Sequence, residues 1–179
     1  EYTNVRTIPF SWNEDSDVKR YEYKFNNSAW TGTERTALGL TASPGKNTFK
    51  IIAEDHSENR SEESVQIVNL DITKPNPPTL NPVTSPTTST NQTFSWSSDE
   101  TDLKSFVYRL YRGVAQNSNA VMPWTSIDKS ITQVKLELSQ GINTFSIKSV
   151  DHVGNESGNV TTVVKLDSVK PPKPILIQR

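Results

Sequence analysis

The residues with the most obvious catalytic potential are two histidines, each preceded by an aspartate. They form the pairs Asp55-His56 and Asp151-His152. A histidine held by a carboxylate can act as a general base. The sequence shows no nucleophile elbow, glycine-rich phosphate loop or His-Glu-x-x-His motif beside them. A pair that recurs at the same place in a repeat is better explained as part of a turn, so we predict that the chain is not an enzyme.

Side chains with oxygen atoms form the second group of candidates, because they could bind a metal ion. Asp99 and Asp102 lie in one acidic stretch, Asp151 and Asn155 lie in another polar stretch, and Asp71 precedes a proline-rich segment. Calcium takes six to eight oxygen ligands, so these residues could hold an ion if the fold brings them together. In the alternative, Asp and Asn side chains only cap their own turns.

Aromatic side chains offer a third kind of site. Trp30 and Trp124 fall in polar stretches and could stack on a sugar ring, or they could cover an edge of the fold. Single exposed apolar residues are common without a ligand. Trp12 and Trp96 each follow a phenylalanine by two residues, and we predict that both belong to the core.

Composition excludes several classes of function. Lys plus Arg number 19 and Asp plus Glu number 20, which gives a net charge of −1. Nothing in this balance favours nucleic acid or an anionic membrane as a partner. The chain has no cysteine, so disulfides, zinc–thiolate sites and cysteine nucleophiles are excluded. No apolar run approaches the roughly 20 residues of a membrane helix.

An internal repeat organises the chain. Asn47-Thr48-Phe49 recurs 96 residues later as Asn143-Thr144-Phe145, and Phe10-Ser11-Trp12 recurs 84 residues later as Phe94-Ser95-Trp96. The extra 12 residues of the second copy lie around positions 113–123. A fixed period of this kind indicates an array of similar modules.

The repeat predicts three segments: a first module at residues 1–73 without its opening strand, a second at 74–169, and a tail at 170–179 that begins a third module or continues as a linker. We expect the chain to be a piece of a longer tandem array.

Within each copy, apolar and polar residues alternate with a period of two. Examples are residues 21–25, 92–97 and 134–138, which carry mostly aromatic and β-branched side chains on one face. This pattern predicts half-buried β-strands. About seven short strands in each period, separated by turn residues, predict an all-β fold of two tandem two-sheet β-sandwiches. The proline-rich residues 74–78 are predicted to join them as a stiff linker.

Each copy resembles a fibronectin type III or bacterial immunoglobulin-like module. The features that carry the resemblance are the tryptophan of the second strand (Trp12, Trp96), the aromatic alternation of the third (Tyr21 and Tyr23, Phe106 and Tyr108), the leucines and turn glycine of the fifth (Leu136, Leu138, Gly141), and the hairpin at 149–157. The resemblance also implies a tyrosine in the sixth strand whose hydroxyl caps a backbone group. Phe49 and Phe145 stand in that place here.

In this topology the loop after the second strand and the last hairpin lie at the end where the chain joins the module. Asp99, Asp102, Asp151 and Asn155 should then approach the linker that carries Asp71, as in a calcium site. We therefore predict either no cofactor or a calcium ion, and the near-neutral charge favours the former.

Tandem β-sandwiches joined by a short proline-rich linker set a distance between what lies at either end. We therefore predict a non-catalytic stalk or spacer of a large secreted or cell-surface protein, bacterial and of the adhesin type, that presents a distal functional domain. The expected partners are neighbouring modules of the same protein. The alternatives are a module that binds carbohydrate or a surface protein through Trp30 or Trp124, and an accessory segment of a secreted polysaccharide-degrading enzyme.

The tail also suggests a partner. Ile175-Leu176-Ile177 stand at the place of an opening strand without the rest of a module. Because the first copy lacks its own opening strand, we predict that the tail pairs head to tail with the first copy of a neighbouring molecule.

Overall fold

A computed structural model describes residues 1–114 and 122–176. The chain divides into two compact units, Glu1–Thr73 and Lys74–Arg179, each considered by itself below. The described residues are all β, which confirms the predicted fold class. In this part of the chain no helix could span a membrane. Ile177 and most of the additional segment of the second copy lie outside the described residues.

The first unit has seven strands in two sheets. They are β1 (Tyr2–Thr3), β2 (Thr7–Ser11), β3 (Val18–Phe25), β4 (Thr31–Thr33), β5 (Ala37–Thr41), β6 (Gly45–Asp55) and β7 (Ser64–Leu70). One sheet has the order β1-β7-β6-β3-β4, and the other is the pair β2-β5. All neighbours are antiparallel except β1 and β7, which run parallel.

The core of the first unit lies between these sheets. It follows from the period-two pattern, because the inward positions of β2 are Ile8 and Phe10, while Thr7, Pro9 and Ser11 stay exposed. The buried members of the core are Ile8, Phe10, Tyr21, Ala42, Phe49, Ile51, Val68 and Leu70.

The second unit also has seven strands. They are β8 (Thr79–Leu80), β9 (Asn91–Ser97), β10 (Leu103–Arg112), β11 (Thr125–Asp128), β12 (Gln133–Glu137), β13 (Gly141–Asp151) and β14 (Val160–Leu166). One sheet has the order β11-β10-β13-β14, and the other has the order β12-β9-β8. The smaller sheet thus includes an edge strand beside β9 that has no counterpart beside β2 in residues 1–73.

A separate cluster fills the second unit. Its buried members are Phe94, Trp96, Leu103, Phe106, Tyr108, Leu110, Leu138, Phe145, Ile147, Val164 and Leu166. The core prediction for the two repeated tryptophans is met to different degrees. Trp96 is only 2% exposed, whereas Trp12 packs against its core but stays half-buried.

The second unit, in which the tryptophan is more deeply buried, also has the edge strand β8. In the second unit β8 pairs with β9, and Leu80 packs against the core beside it. The first unit has no strand at the corresponding side of β2.

Candidate functional site

The aspartate of each Asp-His pair closes the last hairpin of its unit. In the second unit Asp151 is buried, and its Oδ1 accepts hydrogen bonds from the backbone N–H groups of Val153, Gly154 and Asn155 at 3.0, 2.7 and 2.8 Å. Its Oδ2 accepts one from the Asn155 side-chain amide at 2.8 Å. Both carboxylate oxygens therefore hold the turn.

The first unit repeats this turn. Asp55 Oδ1 accepts from the N–H groups of Ser57 and Asn59 at 2.8 and 2.9 Å, and Oδ2 accepts from the Asn59 amide at 2.8 Å. The Asn59 side chain, followed by the Asn59 and Ser57 backbone donors, lowers the pKa of Asp55. His56 and His152 are exposed beside these turns. The geometry is that of a turn motif built on the aspartate, which agrees with the turn interpretation of the repeated pair.

The other residues of the calcium prediction lie in polar loops. Asp99 and Asp102 are exposed in the loop between β9 and β10, and Asp71 Oδ1 accepts the N–H of Thr73 at 2.9 Å. Because Asp151 and Asn155 are engaged with each other, an ion would have to share their oxygens with the turn. Calcium binding therefore stays a prediction.

A glutamate that the sequence interpretation did not single out organises this loop. Glu100 Oε2 accepts the N–H of Asn76 at 2.9 Å, and Oε1 accepts the N–H of Thr101 at 3.1 Å. These backbone donors, Asn76 first, lower the pKa of Glu100. The Glu100 carboxylate thus attaches the proline-rich segment of the second unit to this loop. In the sequence, only the position of Glu100 in an acidic stretch could have indicated this contact.

Trp124 lies among cations. The guanidinium carbon of Arg109 is 4.6 Å from the centre of its ring, and the Lys148 ammonium is 4.7 Å away. Lys148 is also paired with Glu156 at 2.5 Å. Cations over an indole are attracted by its π-electrons. A sugar that stacked on this half-buried ring would have to compete with them, so ligand binding at Trp124 stays a prediction.

Trp30 stands just before β4, and it is 38% exposed. This exposure leaves room for a ligand, and it is also typical of a single surface aromatic residue. Its role as a ligand platform stays a prediction.

The outer face of the first unit carries a charge network that the sequence interpretation missed. Glu54 is 5% exposed, and its Oε2 lies 3.0 Å from the Arg20 guanidinium and 3.2 Å from that of Arg60. Glu22 contacts both arginines, at 3.1 and 3.2 Å. The hydrogen bond from Arg20 is the main cause of the lowered pKa of Glu54. Arg20 and Glu22 of β3 meet Glu54 of β6 here, and Arg60 joins them from the hairpin between β6 and β7. The contact between the two strands depends on their register.

Asn47 and Asn143 are two buried asparagines with a structural role. The sequence interpretation noted them only as members of the repeated Asn-Thr-Phe string. Asn143 is fully buried near the start of β13, next to the turn that joins this strand to β12. Its amide donates to the carbonyls of Ser139 and Gly141 at 2.7 and 3.1 Å, and its Oδ1 accepts the Ser139 N–H at 2.9 Å. Asn47 makes the same three bonds in the first unit. Both residues hold the turn before the long central strand.

Solved structures with a similar fold have fibronectin type III modules. The chain is similar to a structure of fibronectin(III)-like modules of Clostridium thermocellum CbhA, with a TM-score of 0.53, 14% identity, and coverage of 98% of this chain and 93% of the other. It is also similar to the FN1–FN3 domains of chicken CNTN1, with a TM-score of 0.51, 14% identity, and coverage of 91% and 64%. No family model and no curated protein matches the sequence. The predicted resemblance is thus confirmed at the level of fold, and the chain consists of two tandem fibronectin type III-like β-sandwiches.

Proposed function

We propose that this chain is a non-catalytic spacer segment of a larger secreted or cell-surface protein of the adhesin type, which carries tension between a distal functional domain and its anchor. The two cores share no residue, so each unit is stabilised by its own contacts. A spacer needs such units, because one can unfold while the other persists.

The observation that carries the proposal is a parallel contact between the first and last segments of each unit. In the first unit, the N–H groups of Asn69 and Asp71 donate to the carbonyls of Glu1 and Thr3, both at 2.8 Å. Pulling a unit by its two ends drives two parallel neighbours past each other along their length. All bonds between them are then loaded together, so this arrangement resists force better than bonds that open one by one.

The second unit has the same arrangement around Thr87. Its N–H donates to the carbonyl of Lys165 at 2.9 Å, and its carbonyl accepts the N–H of Asp167 at 2.8 Å. The Lys165 N–H also donates to the Ser85 hydroxyl at 3.0 Å. This short contact is where we expect the mechanical resistance of the unit to lie.

Force spectroscopy on the whole chain tests the proposal. Thr87→Pro removes the N–H that donates to Lys165, whereas Thr87→Val keeps it and removes only the hydroxyl. We expect the proline variant to lower the unfolding force of the second unit and to leave the first unit unchanged. Equal unfolding forces for the two variants would contradict a role of this contact in bearing tension.

A replacement experiment separates a spacer from a binding module. In the protein that carries this chain, residues 74–169 can be exchanged for an unrelated β-sandwich of equal length, or deleted. A spacer keeps its function after the exchange and loses it after the deletion. Loss of function after both changes would instead favour binding by the module itself.

The exposure of Trp30 favours one second candidate, a carbohydrate-binding module. Trp30→Ala should then abolish binding on a glycan array, while Trp30→Phe should retain part of it, because any aromatic face can stack on a sugar.

A further inference from the structure

Trp30 and Trp124 hold the same position in the two units. Each is followed by the threonine that opens an edge strand, β4 or β11. That threonine stands opposite Tyr23 in the first unit and opposite Tyr108 in the second. The two tyrosines are equivalent members of the third-strand alternation, so the tryptophans are equivalent as well. The additional residues of the second copy, which lie before Trp124, obscure this equivalence in the sequence.

The second unit shows which side chains reach a tryptophan at this position. Tyr108 and Leu110 of β10 are buried in the core, so Arg109 between them faces the outside of the sheet. Trp124 stands beside Arg109 on that face, and the guanidinium carbon lies 4.6 Å from the centre of its ring. A cation at this place in the third strand is therefore within reach of the indole.

Lys24 holds the place of Arg109 in the first unit, because each directly follows its equivalent tyrosine. It faces outward, since Tyr23 and Phe25 on either side of it pack against the core. The register of β3 with β4 places Trp30 beside it. Trp30 is 38% exposed, and no cation of the described residues lies over its ring. The first unit thus has a free indole next to a lysine.

A second lysine lies in the same row. Lys50 of β6 stands directly opposite Lys24. Like charges directly opposite each other in an antiparallel pair are unfavourable. The second unit avoids this repulsion, because the residue opposite Arg109 is Ser146. The first unit therefore holds two neighbouring cations that a bound anion would stabilise.

The carboxylates on this face leave room for such an anion. Lys50 forms an ion pair with Glu63 at 2.6 Å, and the two side chains are 37% and 44% exposed. An exposed ion pair contributes little free energy, so an anionic group of a ligand can take the place of Glu63. Glu22, on the same face, is engaged by Arg20 and Arg60 at 3.1 and 3.2 Å.

The three residues form a row across adjacent strands, which we call the Trp30 row: Trp30 before β4, Lys24 on β3 and Lys50 on β6. Neighbouring strands lie about 5 Å apart, so the row is about 10 Å long. One ligand can therefore contact the aromatic ring and the two cations together. An aromatic face can stack on a sugar ring, and lysines bind anionic groups.

We propose that the Trp30 row binds an acidic carbohydrate, one that carries carboxylate or sulfate groups. A sugar ring stacks on Trp30, while its anionic group lies between Lys24 and Lys50. The proposal rests on the second candidate function, carbohydrate binding, and adds the class of sugar. In the second unit Arg109 and Lys148 cover the equivalent ring, so we expect this ligand at Trp30 alone.

Isothermal titration calorimetry on the whole chain tests the proposal with three oligosaccharides of equal length, one of uronic acids, one sulfated and one neutral. We expect an acidic ligand to bind about tenfold more tightly than the neutral one, as two exposed ion pairs provide. Binding should weaken as the salt concentration rises. The two acidic ligands distinguish carboxylate from sulfate recognition. Equal binding of the neutral and acidic ligands would overturn the proposal and leave carbohydrate binding intact, whereas no binding of any ligand would overturn both.

Variants assign the binding to the row. Trp30→Ala should abolish it, whereas Trp124→Ala should leave it unchanged. Lys24→Gln should weaken binding of the acidic ligand about threefold to fivefold, and Lys24→Arg should retain it. Lys135→Gln makes the same change of charge at an exposed lysine of β12 and should have no effect. Circular dichroism establishes that all variants remain folded.

Two further readouts separate ligand binding from a structural role. Without ligand, Lys24→Gln should make the first unit more stable, because it removes the repulsion of Lys50. Glu63→Gln should strengthen binding of the acidic ligand, because it removes the competing carboxylate. The proposal is overturned if Trp124→Ala weakens binding as much as Trp30→Ala, if Lys24→Gln binds like the wild type, or if Glu63→Gln weakens binding.

Discussion

Phe145 stacks on Phe94 across the core of the second unit, with ring centroids 4.3 Å apart and planes inclined by 8°. Phe49 and Phe10 form the same pair in the first unit, at 4.2 Å and 13°. The sixth-strand phenylalanines thus join the two sheets at the place where the resemblance implied a tyrosine. The ring contributes apolar area and stacking to the core in place of a hydroxyl cap.

We expect Phe145→Ala to destabilise the second unit by about 3–5 kcal/mol, because it removes a fully buried ring and leaves a cavity. The first unit should be unaffected, since the cores share no residue. Hydrogen exchange with mass spectrometry measures each unit separately. Phe49→Ala is the matched variant and should affect only the first unit. Loss of protection in both units after either change would contradict the independence of the cores.

The strands could be predicted from the sequence because alternation and turn residues act locally. Phe94 and Trp96 share a face whatever packs against them, and Gly141 takes a φ of 94° in the turn where a glycine was expected. The contact of Glu54 with Arg20 could not be predicted, because it depends on which residues of β3 and β6 stand opposite each other. That register is set by the whole sheet.

The incomplete burial of Trp12 has a similar explanation. Its own sequence context is nearly the same as that of Trp96. The difference arises from β8, which covers the edge of β9 in the second unit only. How deeply this tryptophan is buried therefore depends on the neighbouring strand, and it cannot be derived from the local sequence pattern.

We expect Asn143→Ala to destabilise the second unit by about 1–3 kcal/mol, because it removes the three hydrogen bonds that a fully buried side chain makes to the half-buried backbone of the turn. Chemical denaturation followed by tryptophan fluorescence gives the change. Asn159→Ala is the control, since Asn159 is exposed and the change should be close to neutral. Equal effects of the two substitutions would show that the three hydrogen bonds contribute nothing to stability.

Acid should weaken the first unit through Glu54. The arginine contacts lower the pKa of this carboxyl in the folded state below its ordinary value of 4.5. The folded state therefore gains stability above the unfolded pKa and loses it as the pH falls through the folded value. The hydrogen bond to Glu54 raises the pKa of Arg20, so this guanidinium stays charged throughout the range. Unfolding between about pH 6 and pH 3 should show a steeper loss for the wild type than for Glu54→Gln.

The control for this titration is Glu34→Gln, at an exposed carboxylate. It should leave the pH dependence of the first unit like that of the wild type. Identical curves for the wild type and Glu54→Gln would mean that the ion pairs of Glu54 do not stabilise the fold.

The last hairpin of the first unit contains a strained residue that the second unit avoids. Glu58 has a φ of 66°, and its counterpart Gly154 has a φ of 95°. A side chain in this left-handed region costs about 1–2 kcal/mol, whereas glycine adopts it freely. We therefore expect Glu58→Gly to stabilise the first unit by about 1 kcal/mol, less than the full strain because glycine also makes the unfolded chain more flexible. Thermal and denaturant unfolding measure the gain.

Glu62→Gly, four residues further on at an exposed position, should instead be neutral or slightly destabilising, because no positive φ is relieved there. A loss of stability in Glu58→Gly would mean that contacts of the Glu58 side chain outweigh its backbone strain.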